Sequence, residues 1–155
     1  MAESLADQIL GKIVNISDLY HRLMIVAAPT GSGKTRTLQE VYQRTSAPLI
    51  NVNLELSRRM LDLTERQRAL QLPRLLGEIV NETGGDVALL DNIEILFDVA
   101  LKQDPLRLLQ GLSRNKTIVV SWNGSIENDF LTYAVPGHPE YRRYSSRDLL
   151  IATPA

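Results

Sequence analysis

Residues 28–35 read Ala-Pro-Thr-Gly-Ser-Gly-Lys-Thr, and they stand between an apolar run at 23–28 and a helical pattern. A glycine-rich turn that joins a strand to a helix is the setting that a phosphate-binding loop, or P-loop, requires. Gly31 and Gly33 allow the backbone N–H groups to turn inward, because glycine tolerates a positive φ. The first turn of the following helix adds its positive dipole end. The stretch therefore predicts a site for a nucleoside polyphosphate.

Two side chains at the end of this loop suit the same ligand. Lys34 can reach the β- and γ-phosphates, and the hydroxyl of Thr35 can bind Mg²⁺. The usual pattern, G-x-x-x-x-G-K-[ST], starts with glycine where this chain has Ala28. A small residue that keeps φ negative is tolerable at a strand end. We therefore interpret the stretch as a phosphate-binding loop; the alternative is a glycine-rich turn that binds no ligand. The predicted nucleotide-binding residues are Pro29, Thr30, Gly31, Ser32, Gly33, Lys34, Thr35 and Arg36.

An acidic residue to organise Mg²⁺ is expected at the end of another strand. Asp91 ends the apolar run 87–91, as in the metal-binding strand of P-loop proteins, and we predict that it binds Mg²⁺ together with Thr35. Many P-loop ATPases place glutamate directly after that acid, where this chain has Asn92. In those ATPases the glutamate orients the attacking water. Glu94 is a candidate for this role here, although its position also fits a solvated surface acid.

Further candidates follow the next predicted strand. Asn123 follows the predicted strand 116–122, where a polar side chain beside the γ-phosphate would act as a sensor; the alternative is a turn formed by Asn-Gly. Arg142, Arg143 and Arg147 come later, in a region where ring-forming ATPases often present an arginine to a neighbour's nucleotide. Each of them also fits an ordinary surface arginine.

Length and composition limit the remaining possibilities. The 155 residues predict a single domain, 1–155, with a helical N-terminal segment at 1–22. A formal net charge of −1 gives no overall field that would attract nucleic acid, so DNA contact would need a local patch. Without cysteine, disulfides and thiol catalysis are excluded, and the two histidines are too few for a metal cluster. No signal-like or membrane-spanning segment is recognised, which favours a cytoplasmic protein.

The order of strand and helix patterns predicts the fold class. Strand patterns alternate with helical ones, which is typical of α/β proteins with a mostly parallel sheet covered on both faces. We therefore expect a three-layer α/β/α P-loop NTPase, with a core like that of RecA or AAA+ proteins and no helical lid domain. The predicted strands are 23–28, 49–53, 87–91, 116–122 and an edge strand at 141–144; the predicted helical segments are 3–12, 34–44, 55–70, 75–82, 93–99 and 106–112.

Three motifs carry a resemblance that covers nearly the whole chain. They are Ala-Pro-x-Gly-Ser-Gly-Lys-Thr at 28–35, Leu-Leu-Asp-Asn at 89–92 and Val-Ser-Trp-Asn at 120–123. In these, the chain resembles the BrxF family, the small P-loop proteins of type 3 BREX bacteriophage-defence systems. The resemblance implies a bacterial ATPase-like subunit that works with a DNA methyltransferase, a phosphatase-like protein and a large ATPase. It also implies that Lys34, Thr35 and Asp91 bind nucleotide and Mg²⁺.

Three functions remain open at this point. The first is an ATPase that binds ATP and Mg²⁺, self-associates with ATP and acts in assembly or on DNA. The second is a binding module that ATP controls without being hydrolysed, which Asn92 favours. The third is a small-molecule kinase, although nothing in the sequence marks a phosphoryl acceptor.

Overall fold

The computed structural model describes residues 4–154, which form five α-helices, seven strands and three short 3₁₀ turns. The 3₁₀ turns are Ile16–Asp18, Glu94–Phe97 and Val99–Leu101. In chain order the other elements are α1 (Leu5–Ile13), β1 (Leu23–Ala28), α2 (Lys34–Thr45), β2 (Leu49–Asn51), α3 (Val52–Arg59), α4 (Glu65–Glu82), β3 (Val87–Asp91), α5 (Pro105–Leu112), β4 (Thr117–Glu127), β5 (Phe130–Tyr133), β6 (Arg142–Ser145) and β7 (Leu150–Ala152).

The sheet is mostly parallel, and the predicted fold class is confirmed. Five strands lie in the order β2-β3-β4-β1-β7 with parallel pairing. The second half of β4 continues past this sheet and pairs with β5 in antiparallel fashion, and β5 pairs in turn with β6. Because the first half of β4 lies between β1 and β3 in parallel pairing, the carboxyl ends of β1 and β3 meet β4 near Asn123 at one edge of the sheet.

Helices cover both faces of the parallel sheet. Alternate residues of β1 divide between two clusters: Met24 packs with α1 and α2, whereas Ile25 packs with α3, α4 and α5. All six residues of β1 are buried. A continuous apolar run rather than an alternating one is the pattern of a strand that is covered on both faces.

The observed bounds of β2 and α4 differ from the predicted ones, and in each case a polar side chain explains the difference. β2 ends at Asn51 rather than at residue 53, because the Asn51 side chain accepts the backbone N–H of Leu54 at 3.1 Å and starts α3. The predicted break before Pro73 is wrong, since Pro73 lies inside the single helix α4. Proline leaves the Ala69 carbonyl without its helical donor, and the side-chain amide of Gln103 supplies a replacement at 2.7 Å.

The C-terminal part of the chain differs most from the prediction. Asn123 and Gly124 neither end β4 nor form a turn; β4 runs on to Glu127, and the reversal falls at residues 128–129. A Cβ at Gly124 would lie 1.7 Å from the Thr132 carbonyl oxygen, so only glycine permits this close strand pairing. The edge strand predicted at 141–144 is present as β6, whereas β5 and β7 were not predicted. The predicted helix at 93–99 consists of 3₁₀ turns.

A buried lysine stabilises the carboxyl end of α4 by hydrogen bonds. Lys116 is 8% exposed, and its ammonium donates to the Val80 carbonyl at 3.1 Å, the Thr83 hydroxyl at 3.2 Å and the Gly84 carbonyl at 2.9 Å. A cation at this position satisfies the last carbonyls of the helix and complements its dipole.

Lys116→Met is therefore expected to lower the free energy of unfolding by about 1–3 kcal/mol, because buried acceptors lose their donor. Urea denaturation measures the change, and Lys102→Met is the matched control, since Lys102 is exposed. Equal losses in the two variants would contradict a specific role of Lys116 at the end of α4.

In the described part of the chain, no helix is long and apolar enough to cross a membrane.

Candidate functional site

The P-loop between β1 and α2 adopts the backbone that its glycines predict. Gly31 has φ of 82° and Gly33 has φ of 91°, both in the left-handed region. A Cβ at either position would meet nothing within 4 Å, so backbone conformation rather than space requires glycine. The Ser32 hydroxyl donates to the Pro29 carbonyl at 2.6 Å, which fixes the turn from within.

The start of α2 is suited to bind an anion. Gly33 is the N-cap, and no side chain caps the first N–H groups of this 12-residue helix. Such N–H groups and the helix dipole together favour a phosphate at this position.

Lys34 brings a positive charge to the loop. Its side chain is buried, and the ammonium donates to the carbonyls of Ala28 at 2.7 Å and Pro29 at 2.8 Å. Burial lowers the pKa of Lys34, and the carboxylates of Asp91 and Glu94 act in the opposite direction. The two carboxylates therefore help to keep the ammonium charged inside the loop.

Asp91 lies at the carboxyl end of β3 and is 6% exposed. One carboxylate oxygen accepts the Thr35 hydroxyl at 2.7 Å, and the other accepts the Ser121 hydroxyl at 2.6 Å. Ser121 was not among the predicted residues; its signal was its place two residues before Asn123 in the next strand. Thr35 and Asp91 are oxygen donors of the kind that Mg²⁺ prefers, so this pair fits the predicted metal site.

Glu94 points into the same region, although it is offset from Asp91 by three residues. Asn92 has φ of 53°, a conformation that asparagine tolerates, and the chain turns there into the 3₁₀ turn at Glu94–Phe97. One Glu94 oxygen then accepts the side-chain amide of Asn123 at 2.9 Å, and the other accepts that of Asn53 at 3.1 Å.

Asn53 is a site residue that the sequence did not indicate. Besides holding Glu94, its side-chain oxygen accepts the backbone N–H of Ile95 at 2.8 Å. Its own backbone N–H donates to the Asn92 carbonyl, also at 2.8 Å. These three bonds tie the start of α3 to the segment that carries Glu94, so Asn53 fixes both the backbone and the carboxylate.

Together these elements enclose a cleft of about 300 Å³, which we call the P-loop cleft. Most of the predicted site residues come together there, and the cleft is lined by Thr30, Gly31, Gly33, Lys34, Thr35, Asp91, Asn92, Glu94, Ser121 and Asn123. Of the other predicted residues, Pro29 lies beside the cleft, whereas Ser32 and Arg36 are exposed on the loop and on α2.

The predicted arginines lie outside this lining. The Arg142 guanidinium donates to the Gln103 carbonyl at 2.8 Å, which fastens β6 to the segment before α5. The Arg143 guanidinium lies 3.5 Å from the ring centroid of Phe130. Arg147 is exposed, and within residues 4–154 its guanidinium has no hydrogen-bond partner. No arginine lines the P-loop cleft among the described residues.

No family model matches this chain, and no curated protein matches it. Among solved structures, the chain is similar to the "Structure of C. elegans PCH-2", with a TM-score of 0.43 and 18% sequence identity. The similarity covers 81% of this chain and 38% of that chain. The chain thus spans well under half the length of that protein.

Proposed function

We propose that this chain binds ATP with Mg²⁺ in the P-loop cleft and hydrolyses the bound ATP. The observation that carries the proposal is the convergence of a phosphate-binding loop, Lys34, the Thr35–Asp91 pair and the doubly held Glu94 on one cleft. A fold resemblance alone would not specify this chemistry, because function depends on the site.

Each residue has a distinct task in this proposal. The N–H groups at the start of α2 and the Lys34 ammonium bind the phosphates. Thr35 and Asp91 would hold Mg²⁺, which supplies positive charge to the phosphate oxygens. Glu94 orients a water molecule and accepts its proton as the water oxygen bonds to the γ-phosphorus and the bond to ADP breaks. Asn53 and Asn123 are positioning residues, because they set the orientation of the Glu94 carboxylate.

Phosphate release by the purified chain, measured with ATP and with and without Mg²⁺, tests this proposal. We expect Mg²⁺-dependent release that is lost in Lys34→Ala. Failure of the parent chain to bind ATP would contradict the whole proposal.

A second candidate is a module that binds ATP without hydrolysing it. It is favoured by the two amides on Glu94, which occupy both oxygens of the only glutamate in the cleft lining of the described chain. Tight, Mg²⁺-dependent ATP binding without phosphate release would support this second function over the first.

From the resemblance to the BrxF family, we further propose that the chain is a subunit of a defence complex with a DNA methyltransferase, a phosphatase-like protein and a large ATPase. Independently of that resemblance, we propose that it self-associates with ATP, because a single protomer leaves the nucleotide site incomplete. Support comes from the cleft, whose described lining includes no arginine that could approach the γ-phosphate. Of the candidate arginines, Arg147 is the one with an unengaged guanidinium in the described chain. A DNA-associated role rests on the resemblance alone.

ATP with Mg²⁺ is therefore expected to shift the chain from monomer to oligomer, because a ligand that binds the assembled state better favours assembly. Sedimentation velocity measures this shift. Arg147→Ala should reduce it, whereas Arg107→Ala, a change at another exposed arginine, should not. If the parent stays monomeric at high concentration while it hydrolyses ATP rapidly, a site shared between protomers is wrong.

A further inference from the structure

A second pocket adjoins the P-loop cleft and is not used by the proposed reaction. It has a volume of about 380 Å³ and shares Thr30 and Asn123 with the cleft. We call it the flank pocket; the residues that matter for its chemistry are Pro29, Thr30, Asn123, Tyr133, His138 and Glu140. Its outer wall is the loop between β5 and β6, and its inner wall is the part of β4 that continues past the parallel sheet.

The flank pocket opens toward one end of the bound polyphosphate in the proposed arrangement. Thr30 is near the start of the P-loop, whereas Thr35 and the start of α2 are at its end. Asn123 contacts Glu94, which is proposed to face the γ-phosphate. A ligand in the flank pocket would therefore lie beside the terminal phosphate rather than beside the nucleoside.

The lining of the flank pocket disfavours an anion. It includes the Glu140 carboxylate and no lysine or arginine among the described residues. Glu94 lies close by, because it accepts the side-chain amide of Asn123, a residue of the pocket lining, at 2.9 Å. The Nδ1 atom of His138 accepts the backbone N–H of Glu140 at 3.0 Å, which fixes the loop that carries the carboxylate.

The size and surface of the pocket also limit its occupant. Tyr133, Pro29 and Ala134 provide apolar surface beside the Glu140 carboxylate. Short alkyl chains that end in a positive charge match this combination, because the alkyl part covers apolar surface while the charge meets the carboxylate.

We propose that the flank pocket binds an alkylguanidinium or alkylammonium group, delivered either by a small free amine or by a basic side chain of a protein, and that its occupancy acts on Glu94. The binding step does not depend on hydrolysis. The effect on Glu94 rests on the proposed function.

The structure provides a route from the flank pocket to Glu94. The Tyr133 ring stacks on Phe97 with a centroid separation of 3.4 Å and an interplanar angle of 5°. Phe97 belongs to the same 3₁₀ turn as Glu94. Asn123 provides a second connection, since it lines the pocket and donates to Glu94. These two contacts connect the pocket lining to the Glu94 carboxylate.

The test uses the full chain without nucleotide and titrates it with n-butylguanidinium, while n-butylurea serves as the uncharged control of similar shape. Calorimetry measures binding, and the fluorescence of Trp122 reports it independently. Trp122 is the single tryptophan of the chain, and its ring centroid lies 5.9 Å from that of Tyr133. We expect saturable binding of the guanidinium and none of the urea.

Glu140→Gln should weaken guanidinium binding by about two-fold to five-fold, as expected for loss of one partly exposed ion pair. Glu65→Gln is the matched control, because Glu65 is an exposed acid at the start of α4 and is not in the pocket lining. Equal binding of the urea, or equal affinity in Glu140→Gln and the parent, would overturn the proposal. ATP binding measured in the same variants separates this outcome from failure of the P-loop site.

The two sources of the cation are distinguished with the same assay. If a protein side chain is the natural source, N-acetylarginine amide should bind at least as tightly as n-butylguanidinium; weaker binding of the amide indicates a free amine. At a guanidinium concentration that half-saturates the parent, the rate of phosphate release should also change, and it should change less in Glu140→Gln. An unchanged rate in a parent chain that hydrolyses ATP would overturn the action on Glu94.

Discussion

Lys34→Ala is expected to weaken ATP binding by at least about 100-fold. The ammonium is the one basic group that lines the P-loop cleft in the described chain, and it already lies in hydrogen-bonding contact with the loop backbone. A hydrogen bond between charged partners contributes about 1.5–3 kcal/mol, so the loss of bonds to two phosphates accounts for an effect of this size. Isothermal titration calorimetry with a non-hydrolysable ATP analogue measures the affinity.

The fold should survive this substitution. The Lys34 ammonium donates to the carbonyls of Ala28 and Pro29, which belong to the strand end and the loop, and within residues 4–154 it has no hydrogen bond to a core side chain. Circular dichroism and the thermal midpoint provide the check, and Lys102→Ala is a control for loss of a lysine elsewhere. Unchanged affinity in a folded Lys34→Ala variant would show that the P-loop does not bind the nucleotide.

The parts of the site that the sequence predicted are those with local signals. The P-loop is contiguous, and its glycines are required by their own positive φ values. Asp91 ends an apolar run, and such a run is a recognisable pattern of a buried strand. The class of fold follows from the same alternation of patterns, because each helix and strand carries its own periodicity.

The parts that the sequence did not predict depend on contacts between distant segments. Asn53 and Ser121 acquire their roles only when α3 and β4 lie beside the end of β3. Gln103 supports Pro73 from a distance of thirty residues in the chain, so the continuity of α4 could not be inferred locally. In Gly124 the signal was ambiguous, since Asn-Gly is typical of turns but here permits a close strand pairing.

Glu94 was predicted only as one of two alternatives. The sequence allowed it to be either a surface acid or a residue of the site, and the left-handed backbone of Asn92 brings its carboxylate to the cleft. In the proposed hydrolysis, Glu94 would take the role that glutamate directly after the metal-binding acid has in many P-loop ATPases. Whether the carboxylate acts as a base or only as a hydrogen-bond acceptor for two amides is the question that separates the two proposed functions.

Glu94→Gln is expected to slow phosphate release by about 100-fold to 10,000-fold, the range that a positioned general base contributes. ATP affinity should change little, because Glu94 contacts Asn53 and Asn123 rather than the loop. Asp91→Asn should instead abolish the dependence of ATP binding on Mg²⁺, since Asp91 contacts Thr35. Comparing kcat with ATP affinity in both variants therefore separates a role in hydrolysis from a role in metal binding.

Asn53→Ala is expected to have a weaker effect of the same kind as Glu94→Gln. It removes one of the two amides on Glu94 and the acceptor of the Ile95 N–H, but the Glu94 carboxylate itself is retained, so we expect a smaller loss of kcat than in Glu94→Gln and near-parent ATP affinity. Restoration of kcat in Asn53→Gln or Asn53→Ser would indicate that a donor is needed there, as a positioning role requires. If Glu94→Gln releases phosphate at the parent rate, Glu94 is not the base; if Asn53→Ala releases it faster than the parent, the amide restrains Glu94 rather than orienting it for hydrolysis.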